Sequence, residues 1–228
     1  MRTGTMTSVL YGLGRRSETS ERGFLVEEKS SIPSAPGFSA ERFAREQICG
    51  LVRQVFISGL TPAVRHVVFS GIEPGADIAG VCDRVGEVLA TEAEKDVVVV
   101  TSNPRPDLYR ELGPTEFVRT GVRQVKKNLW SLQLPSDGAQ ITTRLLKVYM
   151  EEIRREFEYS IVAAAGGEPN ETLAIGQSAD GIVLVLSAMK TRRAGALRFR
   201  DALAQLRVLG TVLTDREFSV PATIYRRL

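Results

Sequence analysis

Four consecutive valines, Val97-Val98-Val99-Val100, constrain this chain more than any other segment. Branching at every Cβ fits a pleated sheet better than the turns of a helix. A strand with no polar residue on either side must be covered on both, which is the situation inside a parallel sheet. Apolar runs that read as further strands occur at His66-Val67-Val68-Phe69-Ser70, Leu129-Trp130-Ser131-Leu132, Ser160-Ile161-Val162-Ala163, Ile182-Val183-Leu184-Val185-Leu186 and Val208-Leu209-Gly210-Thr211-Val212-Leu213. Between them the apolar period becomes helical. Ala44, Ile48, Leu51, Val52, Val55 and Phe56 form one stripe, closed by Gly59 and Pro62. Ile78, Val81, Cys82, Val85, Val88 and Leu89 form a second, as expected for helices with one buried face. A short helix is expected near Leu108, a longer one over Ile141 to Phe157 and a basic one over Arg192 to Arg207.

Strands alternating with helices imply an α/β fold in three layers, a mainly parallel sheet with helices on both faces. The pattern starts at Ala40, so 40–228 is expected to be a single domain. Residues 1–39 are rich in Ser, Thr, Gly, Pro and charge, and end in Ser30-Ser31-Ile32-Pro33-Ser34-Ala35-Pro36-Gly37. That composition predicts a disordered arm or linker, with Val9-Leu10-Tyr11 as a short apolar patch.

Charge excludes one class of partner. Thirty Lys and Arg against 27 Asp and Glu leave a formal +3, too small and too dispersed an excess to point to nucleic acid. No run approaches the ~18 apolar residues of a membrane span, and the first residues lack the apolar core of a signal peptide. Cys49 and Cys82 fall inside helical patterns, consistent with reduced thiols in a cytoplasmic protein. The single histidine, His66, has no Cys or acidic neighbour at ligand spacing, so no metal site is expected. Ser136, Asp137 and His66 make no nucleophile constellation.

In open parallel sheets ligands sit beyond the carboxyl ends of the strands. The first strand ends at Ser70 and runs through Gly71-Ile72-Glu73-Pro74-Gly75-Ala76-Asp77 into the helix at Ile78-Ala79-Gly80. This is the place of a phosphate-binding loop, where backbone N–H groups and a helix N-terminus cradle an anion. Such a loop also needs a Lys for the outer phosphates and a Ser or Thr for magnesium. Gly71 and Gly75 supply the frame, but those two side chains are missing.

The chain resembles the bacterial tyrosine kinases of capsule and exopolysaccharide synthesis, P-loop NTPases related to the partitioning ATPases. Their loop, S-x-x-P-G-E-G-K-T, matches Ser70, Pro74 and Gly75, with Asp77 at the second glycine, Ile78 at the lysine and Ala79 at the threonine. Their second strand carries two acidic residues where Thr101 and Asn103 stand, followed by Pro104-Arg105-Pro106. Phe157-Glu158-Tyr159-Ser160-Ile161-Val162-Ala163 resembles their F-D-Y-V-I-I-D, with Ala163 at the aspartate. Ala179-Asp180-Gly181-Ile182-Val183-Leu184-Val185 resembles A-D-G-V-L-L-V, and Lys190-Thr191-Arg192-Arg193 resembles K-T-R-R. Val208-Leu209-Gly210-Thr211-Val212-Leu213-Thr214-Asp215 resembles V-L-G-V-V-L-N-D, with Thr214 at a base-contacting Asn.

With Ile78, Ala79, Thr101, Asn103 and Ala163 at the aligned nucleotide-site positions, the chain is expected to be catalytically inactive, without ATP or magnesium, and the resemblance makes it a kinase-like binding or regulatory module of polysaccharide assembly or export. The implied partner is a membrane chain-length regulator or an active tyrosine kinase, which would recruit the protein to the inner face of the membrane. Asp77 has two readings. Beside a bound phosphate, like charges ~4 Å apart at an effective dielectric near 20 repel by roughly 4 kcal/mol. In an empty loop it would cap the helix. The competing functional reading is an active ATP-dependent tyrosine autokinase or ATPase whose cation comes from Lys126, Lys127 or a neighbouring subunit's Arg. A polarity or partitioning factor is a third. The family's E-x-x-R-x-x-R assembly motif falls on Glu46, Cys49 and Val52, which argues against a ring of that kind while leaving other homo-oligomers open. Tyr225 is the one tyrosine of the tail, an aromatic anchor or a phosphoacceptor. Arg192, Arg193, Arg198 and Arg200 form a solvated helix face or a docking site for an acidic partner or anionic membrane.

Overall fold

The computed structural model describes residues 40–59, 62–103, 114–135, 143–164, 166–188 and 190–215. The arm expected over 1–39, the helix expected near Leu108 and the tail bearing Tyr225 lie outside them.

The strands are β1 (His66–Gly71), β2 (Val97–Asn103), β3 (Val122–Lys126), β4 (Leu129–Pro135), β5 (Tyr159–Ala164), β6 (Gly181–Ser187) and β7 (Val208–Thr214). They form one sheet in the order β3-β4-β2-β5-β1-β6-β7. Every pairing is parallel except that of β3 with β4. The helices are α1 (Ala40–Val52), α2 (Ile78–Ala93), α3 (Pro114–Gly121), α4 (Thr143–Glu156), α5 (Pro169–Gly176) and α6 (Arg193–Ala202).

The valine run shows why the sheet needs two covers. Val97 and Val99 enter the core beneath α1 and α2 with Val67, Phe69 and Ile161. Val98 and Val100 enter the core on the other side with Val68 and Val162, against Leu146, Met150 and Ile153 of α4 and Phe199 of α6. The side-chain alternation of a strand thus divides one apolar run between two cores. All four valines are 2% exposed or less, each worth on the order of 1.5–3 kcal/mol relative to exposure.

Four elements depart from the sequence reading, among them α3, which lies past the helix expected near Leu108. Strand β3 was not expected. It is a short antiparallel edge whose side chains after Val122 are exposed, so it carries no apolar run to betray it. Helix α5, for which no helical pattern was read, follows directly on Gly166-Gly167-Glu168, with Pro169 at the helix start, where its fixed φ and missing N–H are tolerated. The basic helix stops at Ala202 rather than Arg207, and Leu203 N–H bonds the Phe199 and Arg200 carbonyls as the helix closes. Helix α1 ends in a π-helical turn over Arg53–Ile57, closed by Ser58 N–H on the Arg53 carbonyl at 2.7 Å.

The amino ends of the strands are tied by one carboxylate. Asp180 accepts the backbone N–H groups of Arg65 and His66, both at 2.8 Å, and the Arg154 guanidinium at 2.7 Å. Burial opposes its charge, but these three donors prevail and hold its carboxyl below the ordinary value. Beside it, the buried His66 ring shares a 2.9 Å hydrogen bond with the Ser160 hydroxyl.

Candidate functional site

Chain order and strand order diverge between β1 and β5. From β1 the chain crosses through α2 to β2. From β5 it crosses through α5 to β6, on the far side of β1. The two crossover helices lie on opposite faces of the sheet. The carboxyl ends of β1 and β5 therefore bound the crevice where this architecture places its ligands.

Ser70 and Gly71 close β1, and Ile72 N–H extends the ladder to the Val185 carbonyl at 3.0 Å. Glu73-Pro74-Gly75-Ala76 is a turn with Pro74 second and Gly75 third. Ala76 N–H reaches the Glu73 carbonyl at 3.4 Å, and Gly75 has φ +77°, the form that favours glycine there. Ile78 N–H then donates to the Ala76 carbonyl at 2.8 Å. Asp77 is the N-cap of α2, its carboxylate accepting Gly80 N–H at 3.0 Å. Ala76, Ile78 and Gly80 thus spend within the loop three N–H groups that could otherwise face an anion. Of the two readings of Asp77, the cap is the one the geometry contains.

Ile78 occupies the floor of this loop. It is 6% exposed, and its Cδ1 lies 2.8 Å from where a Cβ on Gly71 would stand and 3.6 Å from one on Gly166. Gly167 N–H donates to the Gly71 carbonyl at 3.0 Å. A Cβ on Gly167 would stand 2.9 Å from Pro74 Cγ, and one on Gly166 would collide with the Glu73 carbonyl oxygen. The turn after β5 is therefore pressed onto the turn after β1, with an isoleucine between them. Ser70 points to the other face, where its hydroxyl meets Thr172 of α5 at 2.6 Å.

The remaining candidates are dispersed around this crevice. Ala163, half-buried on β5, is in register with Phe69 of β1. Thr101 and Asn103 lie at the carboxyl end of β2, in register with Gln133 and Pro135 of β4. Ala79 is exposed on the first turn of α2. Thr214 is buried on β7, and its hydroxyl donates to the Leu186 carbonyl at 3.2 Å. Among these residues no carboxylate stands at the ends of β2 or β5, and the described residues hold no cluster of metal-ligating side chains. Lys126, one of the substitute cations, is at the sheet edge with its ammonium 2.6 Å from Glu87. Lys127 is exposed in the following turn.

The assembly and docking candidates resolve differently. Glu46 pairs with Arg42 one turn earlier. Arg53, drawn round by the π-helical turn, makes a two-pronged pair with Glu92 of α2 at 2.8 and 3.1 Å. Arg192, Arg193 and Arg198 are exposed, while Arg200 is half-buried and folded onto Asp201. The sequence reading gave Asp180, Arg154, Ser160 and Thr172 no role. Their only signal is the likeness around Ala179-Asp180-Gly181, because each partner lies tens of residues away.

No protein-family model and no curated protein matches the chain. Several solved structures do. The kinase domain of Escherichia coli tyrosine kinase ETK superposes with a TM-score of 0.64 at 14% identity, over 86% of this chain and 86% of that one. The BceF tyrosine kinase domain gives 0.61 at 16% identity, over 75% of this chain and 77% of that one. A plasmid partition protein from Borrelia burgdorferi gives 0.51 at 14% identity, over 72% and 85%. Sheet order and the position of the β1–α2 loop define a P-loop NTPase-like α/β domain. Within that class the chain has the fold of bacterial tyrosine kinase domains, as the resemblance in its sequence implied.

Proposed function

We propose that this protein is a catalytically inactive, tyrosine-kinase-like module that works by binding another protein, in the cytoplasm, during assembly or export of a surface polysaccharide. The observation that carries the reading is the interior of the β1–α2 loop. A carboxylate caps the helix and an isoleucine fills the floor, where a phosphate site needs free N–H groups and a cation. Thr101, Asn103 and Ala163 carry no charge with which to hold magnesium. The pathway and the partner, a membrane chain-length regulator or an active tyrosine kinase, rest on the sequence resemblance alone. On this reading 40–228 acts as one unit and the partner recruits it to the membrane; no described helix is long and apolar enough to cross a membrane.

Calorimetric titration with ADP and ATP, with and without Mg²⁺, tests the reading. Flat isotherms at high micromolar protein are expected. Micromolar, magnesium-dependent binding would overturn it and favour the active-kinase reading. A native pull-down that recovers no polysaccharide-assembly component would count against the pathway while leaving the inactive site standing.

A further inference from the structure

Strand β3 ends the sheet beyond β4, and no described residue pairs with its outer edge. In an antiparallel edge strand every second residue turns its N–H and C=O away from the neighbour. That row of free backbone groups is a template for one more strand. Arg123, Gln124, Val125 and Lys126 are exposed along it, and Lys127 follows in the turn. Val125 is 54% exposed, more than any other large apolar side chain among the described residues, and has no register partner on β4. Lys126 is held by Glu87, whereas Arg123 and Lys127 have no ion-pair partner among the described residues. The free edge is therefore basic, with one apolar side chain in its middle.

We infer that Phe24-Leu25-Val26-Glu27-Glu28 of the same chain adds to the outer edge of β3 as an antiparallel strand. Charge decides the occupant. A second β3 would set Arg123, Lys126 and Lys127 against their own kind, which opposes edge pairing between copies. Among the apolar runs outside the described residues, Val9-Leu10-Tyr11 is followed by Arg15-Arg16 and Ile224-Tyr225 by Arg226-Arg227. Only Phe24-Leu25-Val26 runs directly into two carboxylates, and aromatic and branched side chains suit a strand. The period of two puts Phe24, Val26 and Glu28 on one face. With Val26 opposite Val125, the antiparallel register sets Glu28 opposite Arg123, so the apolar and the charged pair are matched together. Residues 29–39 can extend up to about 40 Å. Four strand spacings, about 19 Å, separate β1 from β3, so the connection to α1 at Ala40 is long enough. The inference is independent of whether the β1–α2 loop binds nucleotide.

Residue-resolved amide hydrogen exchange over 122–126 in the full chain tests this. Without an added strand only the β3 amides bonded to β4 are protected, so protection alternates; with one, the outward amides are protected as well. Leu25→Pro/Val26→Pro removes a ladder donor whichever way the segment faces. It lies outside the packed core, and cooperative melting shows that the variant is folded. The outward amides of β3 are expected to exchange on the order of tenfold faster in this variant than in wild type. Glu28→Arg and Arg123→Glu should each lose part of the protection, and Glu28→Arg/Arg123→Glu should regain it. Outward amides that exchange equally fast in wild type and the proline variant would overturn the inference, as would single reversals without loss or a double reversal without recovery. Protection that rises with protein concentration would assign the added strand to a second copy and overturn pairing within one chain.

Discussion

At the scale of single residues, Asp77 and Gly80 depend on each other. The Asp77 carboxylate accepts Gly80 N–H, and a Cβ on Gly80 would collide with that carboxylate. Removing the cap with Asp77→Ala should cost about 1 kcal/mol in denaturant melts. Gly80→Ala would ordinarily gain up to about 1 kcal/mol of helix propensity. Here it should destabilise the wild type, because the new methyl displaces the cap, and stabilise the Asp77→Ala background. A double-mutant cycle reads this reversal of sign directly, and additive effects would refute it. His66 supports a second prediction. Burial, reinforced by the Arg154 guanidinium, pushes it from 6.5 down to about 4. The unfolded chain therefore takes up the proton first as pH falls. Stability is fully present above about pH 6.5 and declines toward pH 4. Melts over this interval should show wild type losing stability faster than His66→Gln, and parallel profiles would exclude His66 as the cause.

At the scale of elements, the Asp180 knot joins the entry to β1, the turn before β6 and helix α4 through one side chain. Asp180→Ala leaves two backbone N–H groups and a guanidinium without their acceptor and should cost about 2 kcal/mol. Arg154→Met removes one donor and should cost less, since both backbone bonds remain. Equal losses from the two variants, measured by urea unfolding, would show that the ion pair rather than the backbone anchoring dominates. The Asp180 carboxyl is held low, so its stabilisation persists above its ordinary value of 3.8 and is lost as pH falls below that. This interval lies beneath that of His66. Elements whose burial is written in their own residues, such as Val97–Val100 and the stripe of α2, were legible in the sequence. Strand β3 was not, because Arg123, Gln124 and Lys126 face solvent and its existence depends on the free edge of β4. Helix α5 was hidden by Pro169, which suits a turn and a helix start equally well. The candidate loop was legible as a frame lacking its charged side chains. What fills it was not, because the closure of Ile78 against Gly71 and Gly166 joins segments nearly ninety residues apart.

At the scale of the whole molecule, the proposed inactivity rests on three separate segments carried by one sheet. Asp77→Gly, Ile78→Lys and Ala79→Thr together convert the loop to the composition a phosphate requires. They remove the carboxylate from the helix N-terminus, replace the apolar plug with an ammonium and add a hydroxyl. The protein loses the Asp77 cap and the buried Ile78 contacts, so the triple variant should melt at lower temperature than wild type. If the frame formed by Gly71, Gly75 and the α2 N-terminus is intact, the variant should bind ADP in calorimetry where wild type does not. That binding should depend only weakly on Mg²⁺. Thr101, Asn103 and Ala163 remain uncharged at the ends of β2 and β5, and a divalent ion prefers carboxylate oxygens. For the same reason no phosphoryl transfer is expected from the triple variant with Mg-ATP, since the metal and its acidic ligands are what position the transferring group. ADP binding gained without catalysis would assign the proposed lack of nucleotide binding to residues 77–79 and the proposed lack of chemistry to the neighbouring strands. A folded triple variant that binds no ADP would instead place the block in the contact of Pro74 and Glu73 with Gly166 and Gly167, which keeps the loop closed whatever side chains it carries.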